Sequence, residues 1–156
     1  MMLAFAATVL IATQASTEPP RDFVLKIALG QCWNETIDTT GPTFSRSLSP
    51  GETLTATVSL TPEHRRRLYA LVVEADLWGY PRLFKPAGET MVEELPPPNF
   101  TIEAQANGRR TVVQWLDRGS MRPEAVRLRA MIRGVRALFA ERPEAQRLPA
   151  SRMICL

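Results

Sequence analysis

The chain has one histidine, two lysines and two cysteines among its 156 residues, and no apolar run long enough to cross a bilayer. A single histidine, His64, excludes a multi-histidine metal site and any catalytic triad that needs a second imidazole. No GxSxG elbow and no phosphate-binding glycine loop occurs, so the serines, cysteines and aspartates carry no recognisable nucleophile motif. The basic charge is almost all arginine, and 19 cations against 16 anions leave only +3. So small an excess is weak grounds for an anionic partner.

What is present begins with an uncharged leader. Residues 1–15, MMLAFAATVLIATQA, carry no ionisable side chain. The apolar run from Met1 to Ala12 falls short of the about 20 residues a transmembrane helix requires. It has the length of a signal-peptide core, and Thr13-Gln14-Ala15 places small residues before a cleavage point near Ser16. No Lys or Arg precedes the run, and the competing reading is a buried N-terminal strand or helix. The expectation is export to the periplasm or the medium, with no stable membrane anchor once the leader is gone. Export argues against nucleic acid.

The expected organisation is a signal peptide over 1–15, a linker over 16–22, one domain over 23–140 and a tail over 141–156. About 140 residues can bury roughly two-thirds of their chain surface without metals or staples. Cys32 and Cys155 lie near the two ends of that domain. In an oxidising compartment they form one long-range disulfide, or else they stay as two thiols; spacing alone does not decide between these.

Phe23, Leu25, Ile27 and Leu29 alternate with polar or small residues and predict a strand. A shorter strand is expected over Trp33–Asp38 and another over Thr43–Leu48. Ser49-Pro50-Gly51-Glu52 fits a type II turn, followed by the alternation Leu54, Ala56, Val58, Leu60. Thr61 then offers a helix N-cap, Pro62 suits the first helical position, and Leu68, Leu71, Val72 and Ala75 form one stripe. Gly79 and Pro81 end this helix after Trp78.

From Tyr80 to Asn99 no period is visible, and so long an irregular stretch marks a functional or mobile loop. Phe100 to Ala106 and Arg109 to Leu116 form a hairpin about Asn107-Gly108. A second helix starts at Pro123-Glu124 and carries Leu128, Met131, Ile132, Val135, Leu138 and Phe139 at helical spacing. The fold class is therefore α+β: an antiparallel sheet with two amphipathic helices on one face, in the order strands, helix, hairpin, helix.

Candidate sites are few. His64, beside Arg65, Arg66 and Arg67, reads as a solvated helix start. Glu93 and Glu94 are adjacent and point apart on any extended backbone, which is unsuited to an acid/base pair. Arg122, Arg129, Arg133 and Arg136 share a helix face opposite the apolar one. Within DLWGYPRLF, Trp78, Tyr80 and Phe84 with Arg82 are the residue types that dominate binding hot spots. They are the expected partner-binding residues, Tyr80 being the freest to face outward; the competing reading is that the aromatics close the core. No catalytic residue, metal ligand or cofactor is expected.

The run LTPEHRRRLYALVVEADLW, the hairpin NFTIEAQANGRRTVVQW and the helix start RPEAVRLRAMI resemble, in pattern and order, the emfourin family of metalloprotease inhibitors and other exported bacterial families. The resemblance covers roughly residues 23–138. The leader, the longer segment from Gly41 to Thr53 and the cysteines depart from it. It implies an exported non-catalytic binding module that acts on an exported enzyme; no inhibitory residue transfers with it. The alternatives are a small exported enzyme and a structural envelope protein.

Overall fold

Strand β1 (Val24–Leu29) sits at the middle of a seven-stranded sheet, with the strand that follows it in sequence on one side and a hairpin from much later in the chain on the other. The computed structural model describes residues 18–30, 34–88 and 99–152. β2 (Glu35–Asp38), β3 (Thr43–Ser49) and β4 (Glu52–Thr57) meander outward from one side of β1. On its other side lies the hairpin β6 (Phe100–Ala106) and β7 (Arg109–Trp115). Asn107 and Gly108 both take positive φ, as the tight hairpin turn requires. The carboxylate of Asp22 fastens that turn by accepting both their N–H groups, at 2.9 and 2.7 Å.

A two-residue strand, β5 (Leu83–Phe84), pairs parallel with β7 and completes the order β4-β3-β2-β1-β6-β7-β5. All other pairings are antiparallel. Side chains alternate across such a sheet, so Leu25, Ile27 and Leu29 share one face with Ile37, Phe44, Ile102, Val113 and Trp115, and all are buried.

Two helices cover that face. α1 (Pro62–Glu74) buries Leu68 and Val72, and α2 (Pro123–Ala140) buries Leu128, Met131, Ile132, Val135 and Phe139. Burying each such side chain contributes about 1.5–3 kcal/mol. Gly134 of α2 lies where α1 comes closest: a Cβ there would stand 2.9 Å from a Leu71 methyl carbon. A side chain there would make the Leu71 methyl groups shift. Leu71 itself is only half-buried, on the outer side of the helix pair.

Local structure departs from the sequence reading in five places. α1 ends at Glu74, and Asp76 in a left-handed conformation leads into a 3-10 turn, Leu77–Gly79, that carries Trp78. β2 starts at Glu35, and β4 ends at Thr57 although Val58 remains buried. The stretch past residue 140, expected as a tail, forms a short helix α3 (Pro143–Gln146) whose Ala145 is buried. Part of the irregular stretch after Tyr80 is strand β5; residues 89–98, with Glu93 and Glu94, lie outside the described residues, as does the leader.

Candidate functional site

The chain from Trp78 to Phe84 runs along the outer edge of β7 as a strap. Trp78 lies against Arg109 at the start of β7, with the guanidinium carbon 6.0 Å from the ring centroid. Six residues later Phe84 is level with Trp115 at the end of β7. In between, the Gln114 N–H donates to the Arg82 carbonyl at 2.7 Å.

The aromatics of this strap turn inward. Tyr80 meets Phe84 edge-on at 4.8 Å, Phe84 tilts onto Trp115 at 5.6 Å, and Phe100 tilts onto Trp115 at 5.5 Å. The Tyr80 hydroxyl donates to the Glu124 carbonyl at 2.6 Å, in the first turn of α2. Burial pushes the Tyr80 phenol pKa above its ordinary value, against the opposing pull of the nearby Arg127 guanidinium. The ring is therefore not free to face outward, because its hydroxyl finds a carbonyl acceptor beneath the strap. Trp78, Tyr80 and Phe84 are all half-buried against the core.

What the strap shows to solvent is the other set of residues. Pro81, Arg82, Leu83 and Lys85 are exposed, and Leu83 is 65 % exposed. Parallel pairing puts Leu83 level with Gln114, on the sheet face that no helix covers. Of the four hot-spot candidates, Arg82 alone points outward. Leu83 was invisible in the sequence because the period-2 alternation lasts only two residues there.

Beside the strap, Arg129 lies over Trp115 at 5.6 Å and grips Asp117 with two hydrogen bonds of 2.6 Å each. Burial alone would raise the Asp117 pKa. The Arg129 guanidinium and the Gly119 N–H lower it by more, so the carboxyl sits below its ordinary range. Arg129 also donates to the Ser120 carbonyl, which ties the loop after β7 to α2.

Arg136 serves the far half of the same helix. It binds Glu35 at 2.6 and 3.1 Å, and Arg46 binds the same carboxylate at 3.0 Å. Glu35 is 3 % exposed, a buried anion held between two cations. The remaining Arg46 donor reaches the carbonyls of Leu148 and Pro149, so the chain after α3 is fastened to β3. The arginine stripe of α2 is thus divided. Arg129 is engaged by the half-buried carboxylate of Asp117 and Arg136 by the buried one of Glu35, while Arg122 and Arg133 remain exposed.

The arginines of α1 also disperse. Arg65 donates to the Phe23 carbonyl, Arg66 binds Glu63, and Arg67 lines a groove of about 330 Å³ between α1 and α2. His64 completes a capping box: it donates its N–H to Thr61 Oγ1, and its Nδ1 accepts the Thr61 N–H at 3.1 Å. Its Nε2 stands 2.9 Å from Arg142. The imidazole is occupied by helix capping.

Among the described residues, no three His, Cys, Asp or Glu side chains converge as metal ligands, and no helix is long and apolar enough to cross a membrane. Cys32 and Cys155 lie outside the described residues. No protein family, curated protein or solved structure was found to match the chain.

Proposed function

We propose that the chain is an exported, non-catalytic binding module of the inhibitor type, acting on an exported enzyme through the outward side of the Trp78–Phe84 strap. The observation that carries this reading is Leu83: a large apolar side chain, 65 % exposed, on a strand whose Phe84 packs on the buried Trp115. Arg82 and Lys85 flank it, giving an apolar contact with a cationic rim. Trp78, Tyr80 and Phe84 then act from beneath, holding the contact strand in one conformation. Such stiffness lowers the ordering cost of association. The strands-helix-hairpin-helix order supports the same reading, since the resemblance to the emfourin family rests on that order.

The test is retention of an exported partner on the immobilised protein. The expected result is one stoichiometric partner. Substituting Leu83→Asp together with Arg82→Glu should weaken its affinity at least about tenfold, a loss at the hot-spot scale. The melting temperature should stay unchanged, because both side chains are solvent-exposed. Undiminished binding by that variant would overturn the site, and turnover of a substrate by the isolated protein would overturn the non-catalytic reading.

A further inference from the structure

The opposite edge of the sheet, β4, is built differently and carries its own inference, independent of the strap. β4 pairs with β3 in the register Thr57 with Thr43, Thr55 with Ser45 and Thr53 with Ser47. The Val58 N–H donates to the Pro42 carbonyl, so residues 58, 56 and 54 direct their backbone groups inward to β3. Thr53, Thr55 and Thr57 must then direct theirs outward. No residue among those described bonds to these outward groups.

Protection against pairing is confined to the ends of this edge, where the β3 register shifts between Ser47 and Ser49 and Glu144 of α3 accepts the Ser59 N–H at 3.2 Å. Residues 53–58, Thr-Leu-Thr-Ala-Thr-Val, contain no charge and no proline. Natural edge strands are commonly blunted by lysine, proline, extreme shortness or a covering element. The nearest charge, Glu52, is already bound by Arg152 and Ser49 at 2.8 Å each.

We propose that β4 is the interface of a two-fold homodimer, in which the β4 strands of two copies pair antiparallel about Thr55 and join the two sheets into one. A two-fold interface must be self-complementary, and this edge is. With Thr55 opposite the partner's Thr55, Thr53 falls opposite the partner's Thr57. All the outward N–H and C=O groups of these residues then exchange bonds. The same register sets Leu54, 38 % exposed on the helix-side face, directly beside the partner's Ala56.

On the open face the hydroxyl pairs Ser45–Thr55 and Ser47–Thr53, at 2.8 and 2.9 Å, continue into a second set of threonines. Threonine pairs directly opposite each other are favourable in antiparallel sheets. Glu52 falls opposite the partner's Val58, so no like charges meet. A second copy fits an uncharged edge of this composition better than a charged peptide does.

Sedimentation equilibrium of the purified exported protein over a concentration series tests the inference. The expected mass is twice that of the chain, falling to the monomer on dilution. Thr55→Pro removes one outward donor and leaves the β3 bonds intact; Thr55→Lys brings two introduced ammonium groups together at the axis. Either should raise the dissociation constant at least about tenfold, since facing like charges and lost ladder bonds both oppose pairing. Thr55→Lys decides the matter if the proline variant fails to fold. A monomer at every concentration, or a dimer that survives Thr55→Lys, would overturn the interface.

Discussion

The two edges of this sheet are finished in opposite ways. At the β5 edge the chain doubles back as a strap: β5 is two residues long, Pro81 and Pro86 flank it, and three aromatics seat it on β7 and α2. At the β4 edge the strand is six residues long, and no described strand pairs with its outward backbone groups. The order behind β4 comes from polar fastening across the helix-side face, through Glu35, Arg46, Arg136 and the chain after α3. A covered edge is spent on stability and can only present side chains to a partner. An open one can offer its backbone, and that difference is why a side-chain contact is assigned to one and strand pairing to the other.

The largest effect expected concerns how the β4 side is tied down. The Asn34 carbonyl accepts the Ser47 N–H at 2.8 Å, and the Leu48 carbonyl accepts the Arg152 N–H at 2.9 Å. The described chain therefore approaches consecutive β3 residues from two directions, two residues after Cys32 and three before Cys155. We propose that Cys32 and Cys155 form a disulfide. Its reduction should cost about 4 kcal/mol on the loop-entropy account, measured by denaturant unfolding with and without reductant. Two free thiols in the intact mass of the protein would remove this tie from the comparison.

Next in size is the buried carboxylate. Glu35→Gln leaves the guanidinium groups of Arg46 and Arg136 without their shared anion. Removing one member of a buried ion cluster should destabilise the fold by about 3 kcal/mol. The exposed pair Arg152–Glu52 provides the contrast, with side chains 70 % and 46 % exposed. Glu52→Gln should cost less than about 0.5 kcal/mol. Equal losses from the two substitutions would show that burial is not what gives the Glu35 cluster its weight.

Much of this architecture was legible in the sequence, and the legible parts share a cause. β1, the hairpin and the stripes of α1 and α2 follow from periods sustained over enough residues for burial on one face to be read directly. The Asn107-Gly108 turn follows from local backbone preference. Glu35, Asp117 and the strap were not legible, because each depends on a partner far along the chain: Glu35 on Arg136, Asp117 on Arg129, Tyr80 on Glu124. Glu35 even sits at a core-facing position of β2, where a charged residue argues against burial until its partners are known. The aromatic content of DLWGYPRLF is plain in the sequence. Which of those residues point outward was set by the 3-10 turn and by β5, neither of which has a periodic signature.

An effect smaller than that at Glu35 separates the two roles assigned to the strap. Tyr80→Phe keeps the ring and its edge-on contact with Phe84 but deletes the hydroxyl that donates to Glu124 O at 2.6 Å. The carbonyl left behind lies at the first turn of α2, part-buried, where a lost hydrogen bond costs about 1 kcal/mol. Stability should fall by that amount in denaturant unfolding. Partner affinity should stay within about twofold of wild type, because the hydroxyl faces α2 and the exposed side of the strap is unchanged. Leu83→Asp should show the reverse pattern, with affinity lost and stability kept. If Tyr80→Phe lowers affinity while leaving stability alone, the hydroxyl leaves α2 to meet the partner. The strap would then be a rearranging element, and the covered edge would lose the rigidity that sets it apart from β4.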